Sequence, residues 1–293
     1  MAQPLTVLFY NEFYGTLPAS LPDCPWPYRL LYDPCRLPEA DVVVFHIPTL
    51  AASVDVEERP GQLWVAWSME SDVNYPCLAD SAFMQQFDLT MTYRRDADIW
   101  VPYFGPATLA LLEAPPPSEA ANATVVYMAS NPRDHSARNE YVAELMRHIR
   151  VDSYGRCLRT QPLPGDEGRR TKLATIVRYK FTLAFENSIT HDYVTEKFFD
   201  PLLVGSVPVY LGAPNVDELA PGDGCFIDVR DFRGPAHLAE YLNCLAASDE
   251  QYACYRAWRY RPLRESFVRM ARSVAVHPIS RLVTLAGQRL QRG

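Results

Sequence analysis

The densest gathering of polar and charged side chains in an apolar setting is FTLAFENSITHDYVTEK, residues 181–197. Its start reads as a strand, its middle as a polar turn and its end as the opening of a helix. A turn of that kind brings main-chain N–H groups and a helix N-terminus to one mouth, where an anion such as a diphosphate is stabilised. Lys197 would add a compact positive charge there, and Glu186 and Glu196 could accept hydrogen bonds from sugar hydroxyls. An ordinary strand–helix loop carrying a solvated Glu–Lys pair fits the same residues, so the spacing alone leaves both readings open.

Other chemistries find less support. Neither GxGxxG nor GxxxxGK[ST] occurs, so a nucleotide would have to be held by other groups. The six histidines show no HxH or HExxH spacing. The seven cysteines are odd in number and form no CxxC, which reads as reduced thiols instead of zinc ligands or a disulfide framework. A net charge of −7 argues against nucleic acid as a partner. With 48% hydrophobic and 22% charged residues, the chain can bury a sizeable core.

The elements that must position these groups alternate. Apolar runs at residues 5–10, 40–45, 63–67, 88–93 and 99–103 predict strands in the first half. The stretch 105–123, with Pro115, Pro116 and Pro117, reads as an interdomain connection because prolines donate no backbone hydrogen bond. Beyond it, strands are predicted at 124–129, 151–154, 181–185 and 207–211, and helices at 138–149, 196–204, 238–245 and 252–260. Thr195 is placed to cap the 196–204 helix and Gly205 to end it, while Pro201 removes one of its internal bonds. Strands alternating with helices imply parallel sheets, whose ligands sit beyond the carboxyl ends of the strands.

The segment FTLAFENSITHDYVTEKFFDPLLVGSVPVYLGAP resembles the signature of the α-1,3-fucosyltransferases, glycosyltransferase family ten. Three further segments agree in order: WSMESDVNYP, FDLTMTYRRDADIWVPY and VYMASNPRDHSARNEYVAELMRHIRVDSYGRC. Agreement runs from about residue 64 to about residue 262. The resemblance implies an α/β chain of GT-B architecture, two Rossmann-like domains facing across a cleft. It divides the chain into an acceptor-binding domain at 1–118, a GDP-fucose-binding domain at 119–265 and a basic, helical tail at 266–293. It also implies an inverting transfer of L-fucose from GDP-β-L-fucose to a glycan hydroxyl, commonly O3 of an N-acetylglucosamine unit. A transferase of the same fold using another GDP-sugar, and a non-catalytic sugar- or nucleotide-binding protein, are the alternatives.

Carried over residue by residue, the resemblance makes Glu70 the catalytic base, since Ser71 follows it as in the family's Glu-Ser-Pro; Asp72, two residues on and standing where many members carry proline, is the alternative base on chemistry alone. It makes Arg138 and Lys197 diphosphate contacts, and Asn187, Tyr193 and Glu196 further donor-site positions, with Glu186 either at the donor or bracing the turn. His191, in the signature's spacer, is a weaker candidate. Asp96-Ala-Asp98 spells the DxD metal motif of a different glycosyltransferase fold, but here it falls in the acceptor half. No metal ion and no cofactor beyond the GDP-fucose substrate are therefore expected, and no acceptor-binding residue is assigned. The partners are GDP-fucose and an N-acetylglucosamine-containing oligosaccharide such as lactosamine or a lipopolysaccharide chain.

The N-terminus has no basic stretch before its apolar run, unlike a signal peptide, and no segment reaches the length of a membrane span. A bacterial cytoplasmic enzyme is the expectation; a Golgi enzyme trimmed of its anchor would look identical. After Glu265 come Arg269, Arg272, Arg281, Arg289 and Arg292 among apolar residues and no acid. Such a tail could lie on the anionic inner face of a membrane, or pack back on the body as a helix.

Overall fold

The computed structural model describes residues 4–15, 20–21, 24–50, 54, 56–115, 123–163 and 165–291. The chain divides into two compact units, Met1–Pro102 with Ser273–Gly293, and Tyr103–Arg272.

The first unit is built on a six-stranded sheet of β1 (Leu5–Phe9), β2 (Tyr28–Leu31), β3 (Val42–His46), β4 (Leu63–Ser68), β5 (Leu89–Thr92) and β6 (Ile99–Trp100), in spatial order β2-β1-β3-β4-β5-β6. Every neighbouring pair is parallel. Parallel strands are covered on both faces, which is why β1 and β3 are largely apolar and are buried throughout. Alternate residues separate the two faces. Val7, Val42, Val44, Val65 and Trp67 pack against Ile279, Leu282, Val283 and Ala286 of the C-terminal helix Pro278–Leu290. Leu8, Val43, Phe45, Trp64 and Ala66 form the opposite face.

The second unit carries β7 (Ala123–Tyr127), β8 (Val151–Ser153), β9 (Tyr179–Phe185), β10 (Val207–Leu211) and β11 (Ile227–Asp228), in order β11-β10-β9-β7-β8 and again all parallel. Counted from its own first strand, the first unit has the order 2-1-3-4-5-6 and the second 2-1-3-4-5, the doubly wound arrangement of Rossmann-like folds. The order in which strands are added to the sheet reverses between β1 and β3 in one unit and between β7 and β9 in the other. Helices Arg138–Leu145 and Pro235–Ala247 cover one face of the second sheet through Val142, Leu145, Leu238 and Leu242.

Several expectations are corrected. The boundary falls after residue 102 and not at 118, because residues 106–113 form a helix, Pro106–Glu113, with proline at its first turn, where a missing N–H costs nothing. Phe104 stacks on Phe267 at 4.8 Å and meets Phe199 at 5.0 Å, and Arg259 donates to the terminal carbonyls of Leu112 (2.6 Å) and Ala114 (3.1 Å), so this helix is anchored inside the second unit. Residues 116–122, with most of the proline run, lie outside the described residues. The expected tail is divided: Glu265–Ser273 ends the second unit, and the last helix completes the first. That helix turns its apolar face to the sheet, and Arg281 and Arg289 donate to the carbonyls of Trp100 and Asp88, so neither its apolar face nor these two arginines are left for a membrane surface. Gly287 is where this packing is tightest: a Cβ there would stand 2.5 Å from the Trp26 ring.

β2 and helix Arg169–Ile176 were not anticipated, and the expected 252–260 helix is two pieces, Asp249–Cys254 and the 3₁₀ turn Ala257–Tyr260. Pro201 is accommodated within helix Glu196–Val204. The carbonyl of Pro201 accepts from both Gly205 and Ser206, with Gly205 at φ +81°, so the C-terminal turn closes around the proline.

Candidate active site

In the second unit the site is assembled where the strand order reverses. β7 runs into residues 128–137 and β9 into residues 186–195, and the two loops emerge side by side. Arg138 ties them together: its Nη1 donates to the Phe185 carbonyl at 3.1 Å and its Nη2 to the Asn131 carbonyl at 3.0 Å. Its guanidinium is 1% exposed and Nε has no partner. Two of its five N–H donors are thus engaged with main chain, and the others are not. The helix that follows is capped by Asp134, which accepts from the N–H groups of Ser136, Arg138 and Asn139. Burial opposes ionisation of Asp134, but these bonds outweigh it and hold its pKa below the ordinary range. The N-terminus of this helix is therefore already occupied by a carboxylate of the chain itself.

The loop after β9 is held from the other side. Glu186 is 0% exposed and accepts from the Thr195 N–H and hydroxyl, both at 2.8 Å. Burial pushes its carboxyl above the usual range, against the opposing pull of Lys197, whose Nζ lies 3.4 Å away. Fully enclosed, Glu186 braces the turn instead of facing a ligand. The hydroxyl of Thr195 accepts from the Lys197 N–H at 3.3 Å, the expected cap. Asp192, at φ +65°, donates its main-chain N–H to Asn215 Oδ1 and accepts from Asn215 Nδ2 at Oδ1, both at 2.9 Å, which fixes the spacer; Asn215 gave no signal in the sequence reading. Tyr193 is buried, and its carbonyl accepts from the Tyr210 hydroxyl. Asn187 is buried with an unpartnered Oδ1, and exposed His191 pairs with Asp192 at 3.4 Å.

Besides His191, Lys197 and Glu196 are the expected residues of this unit that remain open. Lys197 keeps a quarter of its side chain exposed and Glu196 about two fifths (25% and 39%). Burial draws the Lys197 ammonium down, but Glu186 and Glu196 outweigh it and its pKa is raised. Burial likewise opposes the Glu196 carboxylate, yet Lys197 and Lys172 bring its pKa down to about 2. Both residues line a small cavity of about 50 Å³, and Glu196 also lines a neighbouring one of about 340 Å³ with Ser130, Tyr154 and Gly155. Gly155 is demanded by close approach: a Cβ there would lie 2.0 Å from the Ala129 carbonyl oxygen. This arrangement offers a cation, a carboxylate and an aromatic wall to a nucleoside phosphate.

In the first unit, Glu70 follows β4. The Ser68 hydroxyl donates to the Glu70 carbonyl (2.9 Å), the Glu70 N–H donates back to that hydroxyl (3.1 Å), and the Asn74 amide donates to Oε2 (3.2 Å). Glu70 and Asp72 line a cavity of about 490 Å³ with Tyr93 and Arg94, walled on the apolar side by Leu78 and Met84. Arg94 forks onto Asp96 with two 3.0 Å bonds and reaches Asp72 at 4.0 Å. Asp98 accepts from the Thr90 N–H at 2.9 Å and pairs with Arg289 at 3.0 Å. The two acids of the DxD triplet are thus each held by an arginine. Among the described residues, no group of three or more His, Cys, Asp or Glu is gathered for a metal ion. A second cavity, about 560 Å³, opens at the carboxyl ends of β1 and β3 beside Phe9, Asn11, Phe13, Tyr32 and Thr49. The sequence reading assigned it nothing, because the first sixty residues carry no motif.

Comparison with known proteins bears on both units. The family described as "Glycosyltransferase family 10 (fucosyltransferase) C-term" matches residues 118–284, and "Fucosyltransferase, N-terminal" matches residues 2–104. The chain is 36% identical over 271 residues to the human 4-galactosyl-N-acetylglucosaminide 3-alpha-L-fucosyltransferase FUT5, covering 87% of this chain and 70% of that protein. It is 34% identical to a putative fucosyltransferase-like protein of Arabidopsis thaliana, covering 82% of this chain and 46% of the relative. Crystal structures of an alpha1,3-fucosyltransferase with GDP-fucose and with GDP superpose with TM-scores of 0.60 and 0.63, at 17% and 15% identity. They cover 86% and 99% of this chain and 81% and 91% of theirs. At those identities the likeness concerns the fold, and that fold is GT-B.

Proposed function

The chain belongs to glycosyltransferase family 10, the fucosyltransferases, and from that premise we propose that it moves L-fucose from GDP-β-L-fucose to a glycan hydroxyl, O3 of an N-acetylglucosamine unit, with inversion. The observation that supports this most directly is the pairing of open Lys197 with ionised Glu196 at the point where the strand order of the second sheet reverses, the place where doubly wound sheets bind nucleotides.

In this reading the second unit binds the donor. Lys197 meets the diphosphate, Glu196 accepts from the ribose hydroxyls, and Asn187 and Tyr193 shape the pocket. Arg138 adds charge beside Lys197 and holds the two loops in register; Glu186 orients Lys197 and Thr195. The first unit binds the acceptor. The Glu70 carboxylate takes the proton of the acceptor hydroxyl as that oxygen attacks the anomeric carbon from the face opposite GDP. The carbon–phosphate oxygen bond breaks with its electron pair on GDP, and Lys197 offsets the charge that develops. A base of this kind contributes roughly 10²–10⁴ in rate, and loss of one preorganised cation at the leaving group costs on the order of 3 kcal/mol, by analogy with an oxyanion donor. Transfer needs no metal ion in this scheme, since Asp96 and Asp98 are already bound to arginines and the phosphate charge is met by lysine. Among the described residues no helix is long and apolar enough to cross a membrane.

The test is calorimetry with GDP followed by transfer from GDP-fucose to an acceptor panel containing N-acetyllactosamine, with and without EDTA, and product analysis by NMR. GDP binding and an α-1,3-linked fucoside formed in EDTA are expected. No GDP binding, or equal use of GDP-mannose as donor, would overturn the reading; activity lost in EDTA and restored by manganese would overturn its metal-free part.

A further inference from the structure

Lys172 lies on helix Arg169–Ile176, between the segments that carry the family resemblance, and no motif points to it. Its ammonium stands 2.6 Å from Asp200 Oδ2 and 3.8 Å from Glu196 Oε1. Asp200 is 1% exposed, and its other oxygen is taken by Arg169 at 2.7 Å. Glu196 and Asp200 are one turn apart on their helix, as Arg169 and Lys172 are on theirs, so the two helices meet through a four-charge lattice. Arg169 alone would neutralise Asp200. The second cation does something more: anchored on the buried carboxylate, it lines the same two cavities as Glu196 and shares that residue's Oε1 with Lys197, which lies 3.4 Å from it. Lys172 and Lys197 are also the two cations that draw the Glu196 pKa down.

We propose that Lys172 is a positioning residue of the donor site, fixing the Glu196 carboxylate where it accepts from the ribose hydroxyls of a guanosine diphosphate. This rests on the donor-site reading given above. The lattice makes Lys172 act through Glu196, so its contribution depends on the ribose hydroxyls being there to be bound.

Calorimetry on Lys172→Gln and Lys172→Arg, with GDP and with 2′,3′-dideoxy-GDP as probes, separates the roles. Lys172→Gln keeps a donor for Asp200; Lys172→Met is the second neutral variant should the first fail to fold. The expected result is GDP binding weakened about ten-fold in the neutral variant, with dideoxy-GDP bound as by the unsubstituted protein. The KM for GDP-fucose should rise with kcat held, and Lys172→Arg should restore both. Unchanged GDP binding in the neutral variant, or equal losses for GDP and dideoxy-GDP, would overturn the inference alone. Failure of the unsubstituted protein to bind GDP would overturn the donor-site reading and this inference with it.

Discussion

Lys197→Met should expose how the donor loop is held together. Glu186 is fully enclosed, its two oxygens accept from Thr195 at 2.8 Å, and Lys197 at 3.4 Å is its ion-pair partner. Removing one member of a buried pair typically costs about 3–5 kcal/mol, because the remaining charge stays in a low-dielectric site. The carboxyl is already raised above its usual range by burial, and losing the ammonium raises it further. A carboxyl whose folded-state pKa lies above the unfolded value stabilises the fold below that value and loses the contribution as pH rises. The loss can reach ~1.4 kcal/mol per pH unit for one proton. The variant should therefore lose stability as pH rises above the ordinary carboxylate range. Urea unfolding at pH 5, 6, 7 and 8 measures this directly. Adding Glu186→Gln to Lys197→Met should recover most of the stability and flatten the pH dependence, since the amide can still accept from the Thr195 N–H. A loss under ~1 kcal/mol at pH 7, independent of pH and not relieved by the second substitution, would refute the account of the buried pair.

Three further outcomes follow from geometry elsewhere. Glu70→Gln should lower kcat/KM by roughly 10²–10⁴ while GDP affinity in calorimetry stays unchanged; equal loss of both would remove Glu70 as the base. Gly287→Ala drives a methyl into the Trp26 ring and should destabilise the first unit by about 1–3 kcal/mol, read as a drop in Tm. His46 is enclosed beside Thr49, and burial lowers its pKa to about 4. A depressed histidine gives stability that is complete above the unfolded value and lost as pH falls to about 4, at most about 3 kcal/mol. His46→Asn should flatten that acid limb, and an unaltered profile would show that His46 does not titrate there.

What could be read from the sequence was whatever is encoded locally. Helix Glu196–Val204 announces itself through Thr195, Gly205 and an apolar stripe, and β1 and β3 through uninterrupted burial. Helix Arg169–Ile176 does not, since only Thr175 and Ile176 of its eight residues are buried and its surface is dominated by charge. The strand Tyr28–Leu31 is short and lies behind a run of prolines, which masks it. At the site, Lys197 and Glu196 were legible because turn and helix start are contiguous. Arg138 was legible as a residue but its main-chain partners were not: the carbonyls it donates to belong to Phe185 and Asn131, and its own helix gives no hint of either. Lys172 and Asp200 lie 28 residues apart on separate helices, so their lattice exists only after folding.

The C-terminal helix closes the unit that the N-terminus begins. During synthesis, residues 103–272 are contiguous and can complete their sheet and its covering as they emerge. The preceding strands must wait with one apolar face bare until Ile279, Leu282, Val283 and Ala286 have left the ribosome. The usual order of domain maturation is thereby inverted: the half made first is finished last. Shortening the chain at residue 272, at what looks like the end of the second unit, would strand the first one as an open, aggregation-prone layer.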